Sequence, residues 1–306
     1  MIGTNMYSAL KVVLALIFLS LSPFVRAETE ILRPFILASK ATGALDVAAE
    51  TTRAALVNGG FEVVATYKPY SNAVIFIVTN EELKKNAASS EYGGFGAAQR
   101  VALTKVGNDI QISFTNPVYM ANVYRMKDQQ EGVKAKLAAA LGNIESFGAK
   151  GMTAEDARSY HYMIGMEYFT DPSILATYKT HEEAVAAVES GLSQNKFGVK
   201  QVFRIDVPGS NETLFGVSLK GSGDSKAQDD KFIMSEIDFK DLKSTAHLPY
   251  EILVSKNTVL ALYARFRIAI NFPDLAMMGS HSFVNIMSTP EAIRKALKAT
   301  VTGAPE

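Results

Sequence analysis

Residues 36–70 read ILASKATGALDVAAETTRAALVNGGFEVVATYKPY, and residues 174–208 read ILATYKTHEEAVAAVESGLSQNKFGVKQVFRIDVP. Aligned, both stretches spell a strand, a helix and a second strand, and an internal repeat has to be settled before any other feature of the fold. In the first stretch the helix spans Leu45 to Asn58, with Val47, Thr51, Ala54, Ala55 and Asn58 spaced along one face. It stops at Gly59-Gly60, which supply a left-handed C-terminal cap. In the second, Thr180-His181-Glu182-Glu183 is a capping box ahead of the apolar stripe Ala184, Val188 and Leu192.

Working outward, each copy continues with a strand rich in β-branched residues, Ala73 to Thr79 and Thr213 to Leu219. Each then has a hairpin closing on a proline. Arg100 to Pro117 turns at Gly107-Asn108-Asp109, and Tyr250 to Pro273 turns near Lys256-Asn257, where Gly and Asn tolerate positive φ. A short helix follows in both, Glu131 to Leu137 and Glu291 to Leu297, the second led by Ser288-Thr289-Pro290. Four matched elements in one order predict an α+β fold of two similar repeats. Each is a small antiparallel-rich sheet packed by helices, and the two can pair as a pseudo-dimer within one chain. The repeats span 28–148 and 173–306, joined by a linker helix within 149–172 that is capped by Thr153 and ends near Gly165. The polar, glycine-containing spacers Glu81–Gly96 and Gly221–Asp230 read as mobile surface loops.

Ahead of the first repeat, Lys11, the apolar run Val12–Leu21 and Val25-Arg26-Ala27 have the three-part layout of a cleavable signal peptide over residues 1–27. The run is shorter than the ~20 residues a membrane-spanning helix needs. A retained anchor is the competing reading. With no cysteine after the apolar run, a lipoprotein is excluded. The expectation is a periplasmic or secreted protein of a Gram-negative bacterium, with no integral membrane span once the signal is removed. The 31 Lys and Arg residues cancel 31 Asp and Glu, so the chain lacks the basic footprint of nucleic-acid binding. Zero cysteines exclude disulfides, thiol nucleophiles, Cys-ligated zinc, iron–sulfur clusters and covalently attached c-type haem.

The order of helix, glycine-phenylalanine turn, strand pair and proline-ended hairpin with a methionine shortly after resembles the domain-of-unknown-function 302 family. The residues that carry it are Gly60-Phe61-Glu62-Val63 and Asn116-Pro117-Val118-Tyr119-Met120 in the first copy. In the second they are Phe197-Gly198-Val199, Leu248 to Val254 and Pro273-Asp274-Leu275-Ala276-Met277. The resemblance implies a small α+β unit whose copies pair, and it lends no reaction. That family's helical cysteine-asparagine-proline segment has no match here: a glycine-rich loop stands there in the first copy and Asp238 to His247 in the second.

Chemistry-bearing residues are sparse. Of the four histidines, His181 sits in a helix cap and His247 reads as a loop residue. His161, Met163 and Met166 form one group, and Met277 and His281 another, with Met287 following; thioether and imidazole together suit copper, above all the monovalent ion. The same methionines serve equally as flexible core filler. Tyr263, Arg265 and Arg267 lie in Leu262–Ile268, read as a strand alternating aromatic and basic groups that could clamp an anionic ligand or simply present one solvated face. Gly93 to Ala98 lacks the Lys-Ser/Thr ending of a phosphate-cradling loop and reads as a hinge. Glu236, Asp238 and Asp241 read as the entry of a helix, drawn there by its field. With no catalytic constellation in the sequence, the preferred function is a non-catalytic module binding an unknown small molecule or protein, its groove where the copies meet. Periplasmic copper handling is the alternative. A cofactor-independent acid/base enzyme is a third class, and it requires a pocket gathering Asp, Glu or His of shifted acidity.

Overall fold

The computed structural model describes residues 30–304, so the signal peptide read at 1–27 lies outside the described residues. The first half runs β1 (Phe35–Thr42), α1 (Leu45–Asn58), β2 (Glu62–Tyr67), β3 (Ala73–Thr79), α2 (Glu81–Ala88), β4 (Gln99–Val106), β5 (Asp109–Thr115), α3 (Pro117–Val123), α4 (Glu131–Leu141) and β6 (Glu145–Phe147). After α5 (Ala154–Arg158) the second half runs β7 (Ser173–Thr177), α6 (His181–Ser193), β8 (Val199–Val207), β9 (Glu212–Leu219), α7 (Asp230–Ile237), β10 (Tyr250–Ser255), β11 (Thr258–Ala261), α8 (Ala264–Asn271) and α9 (Thr289–Thr302).

Local chemistry sets the element ends. Thr180 Oγ1 accepts the Glu183 amide at the head of α6, and Thr153 Oγ1 accepts that of Asp156 at the head of α5. Asn116 caps α3, whose first residue is Pro117, where a missing N–H costs nothing.

Helices and two antiparallel sheets make this an α+β protein. The six-stranded sheet has the order β2-β3-β4-β5-β1-β6 and the five-stranded sheet β8-β9-β10-β11-β7, so five strands of each are connected in the same way. The irregularities fall alike. Bulges interrupt β1 against β5 and β7 against β11, and others interrupt β2 against β3 and β8 against β9. Left-handed turn residues Gly107 and Lys256 stand at the same place in the β4–β5 and β10–β11 hairpins. In α3 the Asn122 amide donates to the Val118 carbonyl; in α8 that of Asn271 donates to Arg267, the same interval further along the chain.

One face of the six-stranded sheet packs Ile36, Phe76, Val101 and Phe114 against Leu56 of α1 and Leu137 of α4. Its other face, with Phe35, Ile75 and Ile77, joins a core that continues through Tyr119, Phe215, Leu253 and Ile270 into the second half. The second half therefore seals no separate apolar layer, and the described residues from Ile31 onward form one compact unit.

Several sequence expectations are corrected. Leu262–Ile268 is no amphipathic strand: β11 ends at Ala261, and α8 begins at Ala264 with nearly every residue buried, which erases any helical stripe from the sequence. The buried face of α1 is Ala48, Ala49, Thr52 and Leu56, with Val47 exposed, because the Thr52 hydroxyl is satisfied by the Ala48 carbonyl and can sit inward. The linker helix stops at Arg158, well before Gly165. The spacer 81–96 holds helix α2 and a buried 3-10 turn, Gly93–Gly96, and 221–230 holds the turn Gly223–Gln228. Glu236 and Asp238 stand at the exit of α7.

Candidate functional site

Polar groups from both halves meet along the seam. Arg100 on β4 and Glu251 on β10 form an ion pair that is almost wholly buried. The Arg267 guanidinium from α8 lies 3.6 Å from the same carboxylate, and its Nη2 donates to the carbonyl oxygens of His247 (2.7 Å) and Pro249. His247 is thus a core residue, not a loop histidine: it is 1 % exposed, and burial together with Arg267 and Arg100 holds its imidazole well below the usual range. Two guanidinium groups facing one carboxylate leave an excess positive charge in the interior. The Tyr250 ring, 4.6 Å from the Arg267 guanidinium carbon, offers its face to that charge.

A second cluster joins the end of β2 to α7 and the segment after it. Tyr67 Oη donates to Asp230 Oδ2 over 2.6 Å, and the Leu219 amide donates to the same oxygen. Burial pushes Asp230 up to about 7 and Asp238 up to about 6. Asp238 accepts the Ser244 amide, and beside it the Thr245 hydroxyl bonds Thr104 of the first half.

At a further point on the seam, the Gly93–Gly96 turn inserts between the halves. The Gly94 amide donates to Glu212 Oε2 over 2.8 Å, and Ser255 donates to Oε1. A Cβ on Gly94 would meet Leu253 Cδ1 at 2.5 Å, and one on Gly93 the Ala87 carbonyl oxygen at 2.1 Å, so these glycines permit close approach and are no hinge. Burial raises the Glu212 carboxyl, and these donors lower it only in part. Above it opens a cleft of about 720 Å³, lined by Glu91 and Tyr92 of the first half, Asp171 of the connecting segment, and Ile174, Glu212 and Lys256 of the second half. That volume suits a small-molecule or peptide ligand.

The proposed anion clamp is divided. Arg265 pairs with Glu167 and lies over the Tyr263 ring at 5.5 Å, whereas Arg267 is turned into the core. The helical rather than extended backbone sends the two arginines in different directions. The metal candidates are brought close only in part. Tyr162 Oη lies 2.7 Å from Met277 Sδ, so the segments 161–166 and 277–281 touch, and Met166 lines a small apolar crevice with Tyr162 and Phe283. Met163 is 45 % exposed. His161 packs on Tyr168, and His281 stacks on Phe239 with its Nδ1 3.2 Å from the Glu236 carbonyl. Among the described residues no three His, Asp or Glu side chains converge in a metal-holding group.

Glu212 and Asp230 carry no sequence signature of their burial, and His247 reads as a loop residue from sequence alone. For Glu251 the available signal is a lone charge inside an apolar run, Tyr250-Glu251-Ile252-Leu253-Val254, where strand alternation points the carboxylate the same way as the buried Leu253. Comparison with protein-family models, with curated proteins and with solved structures returns no match.

Proposed function

We propose that this protein is an exported, non-catalytic binding module built from two copies of one α+β unit, distantly related to the domain-of-unknown-function 302 family, with its ligand held in the 720 Å³ cleft. The observation that carries the reading is the composition of that cleft: residues of both halves and of the segment joining them form its walls, as expected of a groove made by pairing two units. The shared strand order and the matched bulges support the duplication, since bulges behave as designed features that persist within families.

The test is a ligand search on the protein secreted by its own host. Small molecules and peptides released on denaturation are identified by mass spectrometry, and each is returned to wild type and to Tyr92→Ala and Lys256→Glu variants. A cleft ligand raises the wild-type Tm and loses at least tenfold in affinity in the variants; ligands indifferent to both variants refute the cleft. N-terminal sequencing of the same material checks cleavage after Ala27.

A second reading, monovalent copper handling, is favoured by the Tyr162–Met277 contact, which joins the two methionine-bearing segments. Titration with copper(I) against a chromogenic competitor, for wild type and Met277→Leu, decides it. Equal behaviour of the two proteins removes the reading.

A further inference from the structure

The two sheets differ at one edge. In the first half β6 lies antiparallel along β1, pairing Phe147 with Phe35, Ser146 with Ile36 and Glu145 with Leu37, and the rings of Phe35 and Phe147 are 5.6 Å apart. β7 holds the same position in the second sheet as β1 in the first, pairs with β11 on one side, and among the described residues has no strand on the other. We propose that an extended peptide of a partner protein adds to this open edge as the sixth strand of the second sheet, running antiparallel to β7 as β6 runs along β1. The proposal rests on the cleft as the binding site and names its ligand class.

Four observations converge on that occupant. β7 reads Ser-Ile-Leu-Ala-Thr, with no charge and no internal proline to keep the edge from pairing. Its bulge is no obstacle, because β1 carries a bulge of its own and still accepts β6. The side chains of β7 are divided between two environments: Ser173 and Leu175 are buried, close to Ile293 and Leu297 of α9, while Ile174 is 64 % exposed and lines the cleft. An incoming strand would therefore find its hydrogen-bonding edge and an apolar contact side by side, the combination that strand addition uses. Finally, the cleft carries the carboxylates of Asp171, two residues ahead of β7, and of Glu91 against the single ammonium of Lys256, while the Glu212 carboxyl is buried on β9 and already held by Gly94 and Ser255. A strand that presents both apolar and basic residues at its cleft-facing positions, every second residue, complements that balance, the apolar ones meeting Ile174 and the basic ones the carboxylates.

The experiment selects a displayed random-decapeptide library on the full mature chain. Enriched peptides are synthesised with free and with N-methylated alternate amides, since N-methylation removes strand hydrogen bonds and keeps the side chains. Expected are sequences in which one set of alternate positions mixes apolar residues with Lys or Arg, a loss of at least tenfold on N-methylation in one of the two alternate phases, and a similar loss in Ile174→Lys. Because Ile174 is exposed, that variant keeps the wild-type Tm. Amide exchange at 173–177 slows at least tenfold when peptide binds. Peptides that keep their affinity in both N-methylated phases while perturbing Tyr92 and Lys256 overturn strand addition and leave the cleft standing. Absence of any enriched sequence overturns strand addition, and the host-ligand search then decides the cleft on its own. Concentration-dependent protection of 173–177 without peptide overturns it in favour of a second copy of the chain.

Discussion

At the scale of single residues, the seam concentrates charge where water does not reach. Arg100, Glu251 and Arg267 are each nearly fully buried, and a buried charge deprived of its partner is far more costly than an ion pair is stabilising. Glu251→Gln is expected to destabilise the protein by about 3–5 kcal/mol in urea unfolding, since it leaves two guanidinium groups uncompensated. Replacing all three with Met, Leu and Met should cost less than that single change. Asp230 gives a second test. Its carboxyl titrates near 7 in the folded chain against the ordinary 3.8, so the folded state holds a proton that the unfolded state releases. Its contribution is full below about 3.8 and lost as pH rises to about 7, with a slope of at most about 1.4 kcal/mol per pH unit. His247 acts in the opposite sense, because its depressed imidazole makes the unfolded state the better proton acceptor below about 6.5. Comparing wild type with Asp230→Asn cancels the histidine. The asparagine variant should gain on wild type from pH 4 to about pH 7 and level off above it, and a flat difference would mean that Asp230 is ionised at both ends.

At the scale of elements, the turn Gly93–Gly96 decides how closely the halves approach. Gly94→Ala places a methyl on Leu253, and Gly93→Ala places one on a backbone oxygen that cannot move alone. Each should cost about 1–3 kcal/mol by overpacking. Gly60→Ala, at φ +81 with nothing within 4 Å, suffers only backbone strain and serves as the control. Measured midpoints that rank Gly60→Ala as the worst of the three would refute the wedge. This turn also marks where the sequence was hard to read. The strands at 73–79 and 213–219, the stop at Gly59-Gly60 and the Thr180 cap are legible because each leaves a local signature: β-branched runs, left-handed glycine, a hydroxyl three residues before a free amide. The Gly93–Gly96 turn, α3 and α8 are not, because they are buried on all sides and so show no polar face to set a period. The site suffered in the same way. In sequence Arg267 reads as the partner of Arg265 in one strand, yet its contacts Glu251 and His247 are brought to it by tertiary packing alone.

At the scale of the molecule, a chain of two similar halves would unfold in two steps if each half closed its own core, and here the cores are not divided that way. The cluster that holds Phe35 and Ile75 of the first half is continuous with Phe215, Leu253 and Ile270 of the second, and the Tyr119 hydroxyl donates to the Ile270 carbonyl across the seam over 2.7 Å. Separating the halves would expose that apolar surface and strip Arg100 from Glu251 in one event, so the intermediate with one half folded is penalised by both terms. Native-state hydrogen exchange can read this directly. The slowest amides of β4 and β10 are expected to converge on one free energy of opening, that of global unfolding. Leu253→Ala, which empties space at the centre of the shared core, should lower both values together by about 2–5 kcal/mol. If β10 responds and β4 does not, the first half is stable on its own helix-covered core, and the two halves are separate folding units joined by contact rather than by a common interior.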